Sequence, residues 1–141
     1  MFGKKKNTMP EEVRMHCSAP SFSLRLGKIL SIWSKDEFKS EKASLSGKIV
    51  ALYPGINILN DPSGWAKLLC DAYFVIILYS YDDKAVLDLK KAFEKVIYSP
   101  ITKHLSGVAI AKTEEEAISL IRTIKTESER EVVTINNTEE E

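Results

Sequence analysis

What this chain lacks narrows it first. Among its 141 residues there are only two cysteines and two histidines. Cys17 and Cys70 lie far apart, in no CxxC pair and no Cys/His ligand set, so neither a disulfide framework nor a zinc site is indicated, and both read as small core residues. No sign of charge dominates. Lys plus Arg and Asp plus Glu number 20 each, so no global field draws the protein to nucleic acid or to an anionic bilayer, and a protein partner is the better default. The longest apolar run, Ala72 to Tyr79, is far too short to span a bilayer. Met1 to Lys6 is a basic start with no apolar h-region behind it, which points to the cytoplasm. Lys4-Lys5-Lys6 has no lipid anchor or amphipathic helix beside it and would bind a membrane surface weakly. GxGxxG, P-loop, nucleophile elbow and metal-ligand cluster are all missing. No catalytic set assembles at a convincing spacing, so the sequence argues against an enzyme and implies no cofactor.

What is present suffices for one compact core: 44% of the residues are hydrophobic, and the length suits a single domain. Residues 1–12 and 126–141 are rich in charged and polar side chains, the latter closing on Glu139-Glu140-Glu141, and both read as flexible tails around a domain spanning 13–125. Asn136-Asn137-Thr138 fits a glycosylation pattern that means nothing without a secretory signal.

Inside the domain the patterning predicts alternating strands and helices. Val13, Met15 and Cys17, then Phe22, Leu24 and Leu26, alternate with polar residues as in a strand or a hairpin broken at Ala19-Pro20. Ile29 to Ser46 lacks a clean period and reads as a loop with a short helix. Lys48 to Tyr53 has the form of a buried strand stopped by Pro54-Gly55. Tyr73 to Tyr79 is apolar on both faces and therefore a central strand covered on each side. Asp82 or Asp83 can cap the next helix, whose Val86, Leu89, Phe93 and Val96 or Ile97 form the core stripe, with Lys90, Lys91, Glu94 and Lys95 toward water, and which Pro100 ends. Gly107 to Ala111 is a short strand. Thr113-Glu-Glu-Glu116 is a capping box, and Ala117, Ile118, Leu120, Ile121 and Ile124 form the buried face behind it. This order implies an α/β fold with a largely parallel sheet and right-handed crossovers, the N-terminal strands added at one side.

The most informative segment is the corner Asp61-Pro62-Ser63-Gly64. Asp61 can accept from first-turn N–H groups and Pro62 falls at the first helical position, where a missing N–H costs nothing. Trp65, Leu68, Leu69 and Ala72 then share one apolar face. The corner is either a plain capped helix or a place where a phosphate or a partner's carboxylate would sit. His16 and His104 read as structural or surface residues, and the Asp82-Asp83 pair as a cap sooner than a metal site. Aromatics interleaved with lysines at Trp33, Lys35, Phe38 and Lys39 could stack on nucleic acid, but partial burial accounts for them better in a chain of zero net charge.

The run from Lys48 through Tyr53 to Asp61-Pro-Ser63-Gly64-Trp65 and Leu69 resembles the STAS domain of anti-sigma-factor antagonists, in which an apolar strand leads to Asp-Ser-Ser-Gly-Leu at a helix start. Thr113-Glu-Glu-Glu-Ala117-Ile118 is similar to the opening of that family's last helix. The resemblance covers roughly residues 47–124. It implies a STAS-like sheet, largely parallel in its C-terminal part with helices packed against it, and a non-enzymatic regulatory module whose partner is an anti-sigma-type kinase or a STAS-containing complex. In the family the residue after the Asp is the phosphorylated Ser or Thr. That position is Pro62, which has no hydroxyl, so the resemblance implies partner binding without the usual phosphorylation, and Ser63 is the one candidate acceptor left in the motif. It would place the partner on Asp61, Ser63, Gly64, Lys67, Asp71 and Lys84. A membrane-associated complex assembled through the same fold is a further reading.

A rival resemblance is to peroxiredoxins, carried by Ala19-Pro20-Ser-Phe22-Ser-Leu24 and by Ser46 to Pro54. That family needs a thiolate at a helix N-terminus soon after the strand. No cysteine occurs from Gly55 to Leu69, and Cys70 falls late in the predicted helix, so this resemblance implies a thioredoxin-like module lacking the peroxidatic cysteine.

Overall fold

The central segments Ile49-Val-Ala-Leu-Tyr53, Phe74-Val-Ile-Ile-Leu78 and Val132-Val-Thr-Ile-Asn136 are rich in β-branched and aromatic residues and buried along almost their whole length. That is what strands covered on both faces require. The computed structural model describes residues 27–32, 34–41, 45–79, 83–99 and 105–137. In chain order the elements are β1 (Gly27–Ser31), α1 (Lys35–Glu41), β2 (Ile49–Tyr53), α2 (Ile56–Leu59), α3 (Pro62–Leu68), β3 (Phe74–Leu78), α4 (Lys84–Ile97), β4 (Gly107–Ala111), α5 (Glu114–Glu127) and β5 (Val132–Asn136).

The strands form one sheet in the order β1-β5-β2-β3-β4, with every pairing parallel. The α/β fold expected from the alternating pattern is therefore present. In register, Leu30, Ile135, Leu52, Ile77 and Ile110 make one row across all five strands. Leu30, Ile135, Leu52 and Ile77 of this row belong to the larger core under this face, with Phe38 of α1, Trp65 of α3 and Leu89 and Phe93 of α4. Residues one step along, Ile49, Ala51, Ile76 and Leu78, point to the opposite face and pack on Ala117 and Ile121 of α5. The chain runs from β2 through β3 to β4 under helices on one face, then returns to β5 beneath a helix on the other, as a constant crossover handedness demands.

The C-terminal region corrects the sequence-based boundary most. Residues 126–141 were expected to be a flexible tail, yet α5 runs to Glu127 and β5 lies inside the sheet between β1 and β2. The charged residues that suggested a tail anchor this strand instead. Arg130 stacks 3.9 Å over the Tyr73 ring and donates from Nη1 to the Gly47 carbonyl at 2.9 Å. Glu131 pairs with Lys48 at 3.0 Å. Gly47 itself has φ +71, a left-handed turn that admits a glycine freely.

Smaller differences follow. The expected short helix between Ile29 and Ser46 is α1, but Ile29 and Leu30 belong to edge strand β1, whose two apolar residues are too few to set a period. Between the Pro54-Gly55 turn and the Asp61 corner, Ile56–Leu59 forms a one-turn helix. Glu116 reaches back to the Lys112 N–H at 2.7 Å, one residue before the Thr113 cap, while Thr113 Oγ1 accepts from the Glu116 N–H as expected. The tail at 1–12, the alternating segment 13–26 and Pro100 lie outside the described residues. No helix among the described residues is long and apolar enough to cross a membrane.

Candidate functional site

The Asp61 corner forms as its residue types dictate. Asp61 is the N-cap of α3, its Oδ1 accepting from the Gly64 N–H at 3.3 Å, and Pro62 takes the first helical position. Its second oxygen is bonded by the Lys35 ammonium, carried by the first residue of α1. This hydrogen bond holds the Asp61 carboxyl below the usual aspartate range; partial desolvation opposes it and the Gly64 N–H adds to it. A Cβ on Gly64 would lie 2.5 Å from Asp61 Oδ2 and 2.6 Å from Lys35 Nζ, so glycine leaves room for the pair. The corner's charges are thus directed at each other.

Next to it the sequence builds a different surface. On the α3 side Ser63, Lys67 and Cys70 recur at i, i+4 and i+7; on α4, Ala92, Lys95, Val96 and Ser99 recur at i, i+3, i+4 and i+7. Both spacings place a stripe on one helix face. The two stripes line a groove of about 460 Å³ between the helices, within the roughly 300–1,000 Å³ typical of ligand pockets. Its floor is Cys70, Ala92 and Val96, and Lys67 and Lys95 stand on its rim, both exposed. Among the described residues neither lysine has an ion pair, whereas Lys84 pairs with Asp88 at 2.9 Å and Lys90 with Glu94 at 2.8 Å.

The six residues expected to meet a partner therefore divide. Ser63 and Lys67 line the groove. Asp61 and Gly64 belong to the corner with Lys35. Lys84, 88% exposed, opens α4 and is held by Asp88. Asp71 follows the far end of α3, where its carbonyl accepts from the Gly47 N–H; a seven-residue helix, about 10 Å long, separates it from Asp61. Cys70, expected to pack inward, is partly exposed in the turn after α3. Sequence reading missed Lys35, which is remote from Asp61 in the chain, and Ala92, Lys95 and Ser99. The i, i+3, i+4, i+7 repeat on α4 was the available signal, overshadowed by the stronger core stripe on the same helix.

The carboxyl ends of the strands carry further polar groups, each bonded within the fold. Open α/β sheets commonly place ligands outside the carboxyl ends of their strands, and β5 ends there between β1 and β2. There Asn137 Oδ1 accepts from the N–H groups of Gly55 at 2.9 Å and Ile58 at 3.3 Å, and its Nδ2 donates to the Ile32 carbonyl at 2.7 Å. Tyr53 donates to Glu114 Oε2 at 2.9 Å. Burial first, then that carboxylate, push the Tyr53 phenol far above its usual value, so it stays a donor. Asp83 caps α4 through the Val86 N–H at 3.1 Å and accepts from the Tyr79 hydroxyl at 3.3 Å. Phe38 is fully buried, edge-on to Trp65 with centroids 6.2 Å apart, so the burial expected of that aromatic segment holds there. Cys17, His16, His104, Asp82 and Trp33 lie outside the described residues, among which no group of three His, Cys, Asp or Glu side chains could hold a metal ion.

Comparison of the chain with protein-family models, with curated proteins and with solved structures gives no match.

Proposed function

We propose that the chain is a non-enzymatic regulatory module that binds another protein through the groove between α3 and α4. The observation that carries this reading is the pair of facing stripes, where, among the described residues, an apolar floor lies between two lysines without ion pairs, beside a corner whose own charges are satisfied. An apolar floor with a polar rim is the ordinary form of a binding face. The STAS resemblance supports the same reading, because it puts a partner beside the helix that starts at Asp61. The proposed partner is then an anti-sigma-type serine/threonine kinase or a larger STAS-containing complex. Pro62 stands at the family's acceptor position, so binding proceeds without phosphorylation there. Ser63, exposed on the groove's rim, is the hydroxyl at which a phosphate would add nearly two negative charges to the interface.

Ser63→Glu tests the proposal. The substitution puts a charge in the first turn of α3, where the dipole tolerates it, so circular dichroism and Tm should stay near the parent values. Affinity for a partner captured from the native host should fall by roughly a hundredfold, the effect of an unpaired charge in a desolvated contact. Lys84→Glu, outside the groove, should change affinity little. Equal binding of Ser63→Glu and parent protein would remove the proposal's basis.

A further inference from the structure

We infer that the groove between α3 and α4 takes an acidic peptide segment with an apolar anchor. This rests on the reading of the groove as a binding face and specifies the chemistry of what fills it. The chain as a whole is neutral, with 20 residues of each sign, but charge is unevenly spent. Lys84 and Lys90 on α4 are neutralised by carboxylates four residues on. Among the described residues Lys67 and Lys95 have no such partner, and none of the described residues that line the groove is a carboxylate. A positive rim around an apolar floor is complementary to a segment that presents carboxylates on either side of an aliphatic side chain. Each feature selects against other occupants. A basic segment meets two like charges. A single-stranded nucleic acid finds no aromatic ring among the described lining residues on which to stack a base. An apolar segment without charge forgoes the rim. Ser63 places a hydroxyl beside the lysines, able to donate to a carboxylate oxygen.

The test is an NMR titration of the full chain at low salt with two short synthetic peptides, both capped at their ends. Each carries leucines at i and i+4; glutamates fill the remaining positions of one and lysines those of the other. The glutamate peptide should shift the amide resonances of Lys67, Cys70 and Val96 in a saturable way, and the lysine peptide should leave them in place. The Lys67→Gln/Lys95→Gln double variant should weaken the glutamate peptide by about tenfold, the sum of two rim charges, while Lys91→Gln leaves it unchanged. Salt near 1 M, where the Debye length is about 3 Å, should weaken it similarly. Equal response to both peptides, shifts centred elsewhere, or response only to vesicles containing phosphatidylserine would overturn the inference. The two proposals fail separately. If Ser63→Glu abolishes binding of a captured partner while the glutamate peptide leaves the groove untouched, the groove is a binding face for a segment of other chemistry.

Discussion

The corner at Asp61 and the groove beside it share the helix α3 and differ in what their polar groups do. At the corner, Asp61, Lys35 and Gly64 satisfy one another, and just past the carboxyl end of β5 Asn137 binds three backbone groups at once. In the groove, Lys67 and Lys95 are exposed beside an apolar floor, and among the described residues neither has a carboxylate partner. The residues most conspicuous as a motif therefore hold the fold together, and the interaction capacity left over lies a turn away. A conspicuous capped corner marks where a helix starts, and a binding face is found by asking which charges and apolar atoms nearby have nothing to meet.

The sharpest way to separate the two regions is to remove the residue whose bonds are most fully used. Asn137 is 2% exposed, and Asn137→Ala would leave the Gly55 and Ile58 N–H groups and the Ile32 carbonyl without partners. At about 1–3 kcal/mol for each buried group left unsatisfied, the loss should be roughly 3 kcal/mol or more, read by urea unfolding. A loss below about 1 kcal/mol would show that the bonds of Asn137 are replaceable by water. The corner should matter less. Asp61→Ala removes an N-cap and one end of a half-exposed ion pair, and should lower the urea midpoint clearly less than Asn137→Ala does. A comparable loss from Lys67→Ala would erase the distinction between corner and groove.

Two smaller effects sharpen the account. Thr134 is fully buried in β5, and among the described residues its Oγ1 has no hydrogen-bond partner. Thr134→Val, which replaces that hydroxyl with a methyl of the same shape, should raise stability by about 1 kcal/mol. A loss instead would mean that the hydroxyl is satisfied in solution. The smallest effect is electrostatic. Because Lys35 lowers the Asp61 pKa in the folded state, the stability from this group is present above the ordinary aspartate range and is lost as the pH falls below that range through the folded-state value. A carboxyl NMR titration should place Asp61 below the usual range in the parent and nearer to it in Lys35→Met. An unchanged midpoint would remove Lys35 as the cause.

The parts of the fold visible in the sequence are those fixed by local chemistry. Asp61, Asp83 and Thr113 bond N–H groups three residues ahead, so each helix start is written within a few positions. β2 and β3 announce themselves as apolar runs before turn or cap residues. β5 does not, although Val132-Val133-Thr134-Ile135 has the composition of a central strand. It is short and flanked by Glu129, Arg130 and Glu131 before and by asparagines after, so the average over any window is polar. Its burial depends on pairing with β1 and β2 across long stretches of chain, which no local pattern states. The candidate site divides in the same way. Ser63 and Lys67 were reachable from the motif, but the groove exists only because α4 packs beside α3, and the Lys35–Asp61 pair joins residues brought together by two separate elements.

If a partner covers the groove between α3 and α4, it must shield Cys70. The chain has two cysteines, so a Cys17→Ser variant leaves Cys70 as the one thiol, partly exposed on the groove's floor. Its maleimide labelling rate should be measured with and without a saturating partner captured from the native host. Protection of at least about tenfold, the least a tightly held complex should give, is the predicted result, restored to the free rate in Ser63→Glu. Labelling that proceeds equally fast with the partner bound would contradict the claim, because the partner would then sit elsewhere on the molecule.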